Sequence, residues 1–493
     1  MKRTKFQRLA ALILALTFIM GGALTVNAAA ADATGSSVTG SSIAEIQEQL
    51  SAISYEEYST KHEDVPSASG EIDIDAMQYD KEETTAEVSI KTYDGVEALY
   101  TPSDGTTVWK VNVPSTAKYS IVIEYYPVEG KAASIERVFR LNGEIPFAEA
   151  RYLTLPKIYA NTYPNGELLL KNGESASDYI SAAQAIGITA TSETREDGTY
   201  VLYQMPKYWT SDISSLVDEN TIRFFTQDIE GNELRQTMEQ TPSWSTYDLK
   251  DANGFYAEDF EFVLQAGENT LSLEAKNEPM AIKSICLIPH ENLISYEDYL
   301  AQYAGAATGS DYIKIEAEFT TNTSSKTIYG VEDRSSAACS PTDTSRQLLN
   351  TIGGEKWQTS GQWATYTFMV NESGMYTVGA RFKQNVLDGM YTSRSLYIYS
   401  EGLQEGAKGY YDGIPYTEAA QLQFPYSDNW QSTLVTDGED TLQFYFEAGV
   451  VYTLKFEVTL GSMGDIVRRV DEALDSINDD YLQILKQIGR AHV

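Results

Sequence analysis

The chain is poor in the residues on which most catalytic and covalently braced proteins rely. Of its 493 residues only two are cysteine and three are histidine. Cys286 lies in the apolar run SICLI and Cys339 in a Ser-rich loop assigned to a different domain, so two free thiols are expected and the fold must hold without disulfides. His62, His290 and His492 stand far apart in the pattern. They read as surface-loop histidines, and neither a Ser-His-Asp arrangement nor a histidine zinc site can be assembled from them. Basic residues are also scarce: 36 Lys and Arg against 71 Asp and Glu give a formal charge of -35. Such a surface repels nucleic acid and anionic membranes and favours solubility. No GxxxxGK[ST] motif occurs, and the Gly353-Gly354-Glu355 turn has no helix pattern behind it, which argues against nucleotide chemistry. The apolar run Leu9 to Met20 is too short for a comfortable membrane span.

That run follows Lys2, Arg3, Lys5 and Arg8 and precedes small residues from Asn27 to Ala31. This is the order of a secretory signal peptide over residues 1–30, cleaved after Ala28 or Ala30, with an uncleaved anchor as the alternative. No cysteine follows it, so a lipid anchor is not indicated, and the chain is expected to be secreted, extracellular or associated with the cell surface. Residues 31–65 read as a flexible spacer with short helices. Ser42 with Glu45 starts one helix carrying Ile43, Ile46, Leu50 and Ile53, and Ser54 with Glu57 starts another.

Period-two alternation is abundant. In GQWATYTFMVNESGMYTVGARF, Gly361 to Phe382, the residues Ala364, Tyr366, Phe368 and Val370 fall on one face, as do Tyr376, Val378, Ala380 and Phe382 after a polar turn. Two antiparallel strands of a β-sandwich, joined as a hairpin, are expected. A weaker copy runs from Trp109 through Pro114-Ser115-Thr116 to Tyr125. Further matches support a duplication. ISYEEY at Ile53 recurs as ISYEDY at Ile294, and IDIDA at Ile72 as IKIEA at Ile313. PFAEARYLTLP at Pro146 recurs as PYTEAAQLQFP at Pro415, and GENTL at Gly267 as GEDTL at Gly438.

The expected fold is mainly β, with two tandem antiparallel β-sandwiches of jelly-roll type, short helices and a C-terminal helix. The first sandwich is placed at 66–290 with an insert at about 160–220, a helix and linker at 291–311, and the second sandwich at 312–461. The insert shows a helix pattern near Ala176 to Ile186 and a hairpin around Asp197-Gly198, and reads as an elaboration on one end of the first sandwich. From 462 to 487 the period changes: Val467, Val470, Leu474, Ile477, Tyr481 and Ile484 form an apolar stripe on a charged connector helix. Such a stripe needs a partner surface, so the chain is read as the N-terminal part of a longer protein, with residues 488–493, IGRAHV, as a non-native tail.

For chemistry, glycoside hydrolysis needs only two carboxylates, but two small duplicated sandwiches offer no large cleft, so a non-catalytic protein is expected. Binding is better supported. Loops at the end of the second sandwich carry Trp357, Gln358, Tyr410, Tyr411, Asp412 and Trp430, with Glu355, Asp428 and Asn429 beside them. Flat aromatic faces stack on sugar rings while neighbouring polar groups bond hydroxyls. The alternative is that the aromatics cap the core, and Trp430 leans that way because Trp244 occupies the matching place in the first copy. Glu316 and Glu318 in IKIEAEF alternate onto one face of a first strand and suit a structural Ca2+, with solvated strand acids as the alternative.

Together IEAEF and GQWATYTFMVNESGMYTVGARF resemble galactose-binding-like carbohydrate-binding modules, over about Tyr312 to Leu460. The resemblance implies a calcium-ligating acidic pair in the first strand, although the last strand, YTLKFEVTL, lacks the Asp such modules offer there. The whole arrangement resembles the N-terminal half of large bacterial extracellular solute-binding proteins of sugar ABC importers. That implies a glycan or oligosaccharide ligand, and importer membrane subunits as partners through a C-terminal domain absent from this chain; nucleic acid is not expected. The alternatives are a structural or adhesive cell-surface protein binding other proteins, and accessory modules of a secreted glycoside hydrolase.

Overall fold

A computed structural model describes residues 52–491, except 132–133, 162–165, 221, 236, 257, 291–294, 337, 387, 401–421 and 437–440. The expected signal peptide and residues 31–51 of the spacer lie outside the described residues. No helix among the described residues is long and apolar enough to cross a membrane.

The duplicated tyrosine motif shows how sequence becomes structure here. Ser54 accepts the backbone N–H of Glu57 ahead of the helix Tyr55–Lys61, and Ser295 accepts that of Asp298 ahead of Tyr296–Gln302. Each helix turns two tyrosines onto one strand. The Tyr55 and Tyr58 hydroxyls accept the N–H groups of Glu261 and Val263 at 2.9 and 2.8 Å. Tyr296 and Tyr299 accept those of Gln443 and Tyr445, both at 2.8 Å. The strands so capped, Glu261–Leu264 and Gln443–Phe446, pair on their other side with Ala117–Tyr126 and Gly374–Thr377. Helix hydroxyls therefore close what would otherwise be an open sheet edge.

This geometry also corrects the alignment of the copies. Val263 corresponds to Tyr445, so Ala266-Gly267 corresponds to Ala448-Gly449, and GENTL does not correspond to GEDTL. The long strands agree: Gly267–Asn277 lies between Thr106–Val113 and Ser134–Leu141, as Val451–Thr459 lies between Trp363–Met369 and Tyr391–Ser400.

The architecture is mainly β and antiparallel, with both copies built as sandwiches. The expected hairpin is not one. Trp363–Met369 pairs with Asn322–Thr323 and Val451–Thr459, whereas Gly374–Thr377 and Gly379–Phe382 pair with Gln443–Phe446 and Gln431–Leu434. The turn thus carries the chain from one sheet to the other. Ala364, Tyr366, Phe368 and Val370 are buried as the alternation predicts, and Tyr376, Val378, Ala380 and Phe382 are partly buried against the core. Alternation says which side chains point inward but not which sheet a strand joins. The matching stretch of the first copy behaves alike: Thr106–Val113 and Ala117–Tyr126 belong to different sheets. Its core centres on Trp109, Tyr125, Phe139, Phe147 and Phe262.

The insert is the largest departure. Its helices Ala176–Ala185 and Ser211–Asn220 and its sheet of Gly166–Leu169, Gly198–Tyr203 and Ala190–Arg195 do not decorate the first sandwich. Tyr203, Trp209, Ile213 and Phe224 join the core of the second, with Phe319, Phe368 and Phe444. The backbone follows: Trp209 N–H donates to Thr367 O and Met369 N–H to Trp209 O, each at 2.9 Å, and Tyr159 pairs with Thr323. The first copy lends a segment of chain to the second. The copies are also tied by Lys250 at 2.7 Å from the Glu457 carboxylate, which Lys455 approaches at 3.0 Å. Burial would raise the Glu457 carboxyl, but the two lysines outweigh it and hold it down to about 2.

Replacing Tyr58 or Tyr299 by Phe leaves a strand N–H without its acceptor. Each change is expected to cost about 1–2 kcal/mol in urea unfolding, whereas Tyr312→Phe, on an exposed ring, leaves stability unchanged.

Candidate functional site

Register places three loops at one end of the second sandwich: 353–362 ahead of Trp363–Met369, 383–390 ahead of Tyr391–Ser400, and 426–430 ahead of Gln431–Leu434. Trp430 is half-buried, and its indole N–H donates to Asp333 Oδ2 at 3.0 Å. Lys383 Nζ lies 3.6 Å from the same carboxylate and donates to Ser335 Oγ at 2.7 Å. Ser335 N–H donates to Asp333 Oδ1 at 2.6 Å, and Asp333 N–H to Asn350 at 2.8 Å. Burial raises the Asp333 carboxyl, but the hydrogen bonds from Ser335 and Trp430 and the Lys383 charge together hold it below its ordinary value. Beside this braced indole, Asp428 and Asn429 are exposed, with Tyr426 Oη donating to Asp428 at 2.7 Å.

Trp244 holds the equivalent place in the first copy, just ahead of Ser245–Asp248, and donates to Tyr93 O at 3.3 Å with its ring edge-on to Tyr126. The position is shared; the partners are not. Asp333, Ser335 and Lys383 escaped sequence reasoning because they come from two separate loops. The Asp333-Arg334-Ser335 turn was the only local signal available.

Trp357 is built into the wall of the sandwich. Its indole packs against Ile328, Ala364 and Tyr366, its N–H donates to Gln362 O at 3.1 Å, and the Arg394 guanidinium lies 4.8 Å from the ring centroid. Arg394 also donates to Trp357 O at 3.2 Å, and burial lowers it to about 10. Arg137, at the matching strand position in the first copy, is lowered to about 10 by the same cause, and donates to the carbonyls of Glu136, Asn277 and Glu278. Arg394 thus follows a duplicated structural pattern, and Trp357 offers less free face than its loop position suggested. Gln358 beside it is exposed. Tyr410, Tyr411 and Asp412 lie outside the described residues.

Glu316 and Glu318 do not form the expected pair, and the stretch around them is irregular chain and turn, not strand. Glu316 pairs with Lys314 at 2.8 Å. Glu318 is buried and receives Arg223 Nη1, from the insert, at 2.7 Å. The same guanidinium reaches Glu233 Oε1 at 2.8 Å and Leu349 O at 2.6 Å. A fixed cation of the chain itself engages the carboxylate assigned to calcium, so these residues do not fit the metal. Among the described residues no cluster of three or more His, Cys, Asp or Glu suits one. Burial pushes Glu318 up to about 7 even though Arg223 pulls the other way.

No known family matches the sequence, and no curated protein is similar to it. Among solved structures it is similar to a β-(1,4)-mannanase, GH26-CBM35, of Podospora anserina, with 11% identity and a TM-score of 0.20 over 49% of this chain and 37% of that one. It is similar to a Paenibacillus xanthan lyase at 11% identity and a TM-score of 0.18, over 80% of this chain and 25% of that one. A third is a Paenibacillus cycloisomaltooligosaccharide glucanotransferase complexed with cycloisomaltoheptaose, at 8% identity and 0.18, over 78% of this chain and 45% of that one. The chain thus spans less than half the length of each.

Two outcomes test the buried cluster. Arg223→Met strands two buried carboxylates and is expected to cost about 3–5 kcal/mol, much of it recovered when Glu233→Gln and Glu318→Gln are added. Because the folded Glu318 titrates near 7 against an ordinary 4.5, the native state keeps a proton that the unfolded chain releases. Stability should therefore fall as pH rises through that window. Asp259, pushed by burial up to about 6, acts with the same sign. Urea unfolding at several pH values reads the slope, and Glu318→Gln should flatten it.

Proposed function

We propose that the second sandwich binds a glycan at the loop end carrying Trp430, and that the chain does so without catalysing a reaction. The supporting observation is the braced indole. Its one polar atom is taken by Asp333, so what remains accessible of the ring is apolar surface, suited to the C–H face of a sugar. Exposed Asp428 and Asn429 stand beside it to bond hydroxyls. The non-catalytic reading rests on the sequence, in which two small duplicated sandwiches offer no large cleft. The finer reading is a secreted glycan-holding part of the extracellular solute-binding protein of a sugar ABC importer. It rests on the sequence resemblance carried by the tyrosine helices and the paired sandwiches.

A glycan array followed by calorimetry on the full chain tests the reading. Asp428→Ala/Asn429→Ala should weaken binding about tenfold, near 1.4 kcal/mol, with unchanged melting temperature. Trp430→Ala should abolish binding, whereas Trp357→Ala should mainly lower the melting temperature. No binding to any plant, microbial or host glycan would overturn the reading.

A further inference from the structure

The helix Gly464–Ala491 is 28 residues long, and among the described residues one of its faces lies open. Its first turns are anchored on the opposite side, where Arg468 is buried beside Tyr256 and ion-pairs with Glu56 and Glu472. The open face carries Ile466, Val470, Leu474, Ile477, Tyr481 and Ile484, from 38% exposed at Val470 to 64% at Ile477. A shallow groove between Ile466, Val470 and Leu474 has Arg469 at its margin. Six large apolar side chains on one exposed helix face form a patch of the kind that marks an interaction surface.

Three features point to the occupant. The stripe is nearly self-complementary in reverse. When a second copy runs antiparallel about an axis between positions 475 and 476, Ile466 faces Ile484, Val470 faces Tyr481 and Leu474 faces Ile477, which is the pairing an isologous two-fold interface requires. Antiparallel helices also set their end charges in favourable opposition. The area suffices: at on the order of 150–200 Å² per large side chain, six half-exposed ones present roughly 600 Å², so two helices remove about 1,200 Å², the lower edge of stable specific interfaces. Finally, the stripe itself is uncharged, so two copies of a chain with a formal charge of -35 can meet there with the least local repulsion.

We infer that this chain self-associates as a two-fold dimer through antiparallel pairing of the helix Gly464–Ala491 along that stripe. Analytical ultracentrifugation of the full chain should show a monomer–dimer equilibrium, with the dimer strengthened by added salt as the mutual repulsion is screened. Leu474→Asp/Ile477→Asp should give a folded monomer whose melting temperature no longer rises with protein concentration. An Ile466→Cys/Ile484→Cys variant should oxidise to a covalent dimer while neither single variant does, since both native cysteines are buried. A monomer at every concentration, or a dimer indifferent to the Asp substitutions, would overturn the inference. Cross-linking by the single variants would overturn the antiparallel arrangement. A monomer that sediments with phosphatidylcholine vesicles would assign the stripe to a lipid surface and overturn it equally.

Discussion

One buried guanidinium fixes the segment lent by the first copy into the interior of the second. Arg223 belongs by sequence to the first copy, yet its partners Glu318 and Leu349 belong to the second, and Glu233 follows it within the inserted segment. A charge in that position is tolerated only because every arm of the fork finds an acceptor, two of them carboxylates. Burial is the main reason that Glu318 titrates so far above an ordinary carboxylic acid, with the nearby Glu316 charge adding to it against the pull of Arg223. The aromatic rings of Phe225 and Phe319 lie within about 5 Å of the same guanidinium, so packing and ion pairing hold the segment together.

The duplication was legible in the sequence because it rests on local chemistry. A serine cap followed by two tyrosines reads the same wherever it occurs, and both copies use it to cover the edge of the same strand. Long-range pairing was not legible. The arms of GQWATYTFMVNESGMYTVGARF alternate as hairpin strands do, and only the partners Val451–Thr459 and Gln443–Phe446 reveal that they lie in opposite sheets. Likewise GENTL and GEDTL share letters without sharing a place in the fold, GENTL lying inside the strand Gly267–Asn277. The structure matches Ala266-Gly267 to Ala448-Gly449, a shorter identity backed by position. The insert misled for a related reason: its helix and hairpin form where the pattern puts them, but nothing local says whose core Trp209 and Phe224 will enter.

The candidate site was legible in half. Its aromatics stood out by residue type, and the Trp244 and Trp430 equivalence pointed to a position that the fold itself uses. Their surroundings did not stand out. Asp333 and Lys383 come from loops four strands apart in sequence, and Arg394 approaches Trp357 from a third element, so the difference between a braced ring and a walled-in ring is a matter of tertiary contact. The acidic pair at Glu316 and Glu318 shows the converse, since a spacing that suits a cation was met by a cation already in the chain.

The lent segment has a consequence for how the chain matures. Trp209, Phe224 and Phe225 are made well before Phe368, Phe444 and Phe446, the rings they bury against. At roughly 5–20 residues per second of synthesis, Phe225 precedes Phe444 by on the order of 10–40 s. During that interval the first sandwich can close around Trp109 and Phe262, while a stretch of unspent hydrophobic chain hangs from it. The two copies are duplicated in sequence but strictly ordered in time, and the earlier one carries an unfinished piece of the later one until its partner strands arrive.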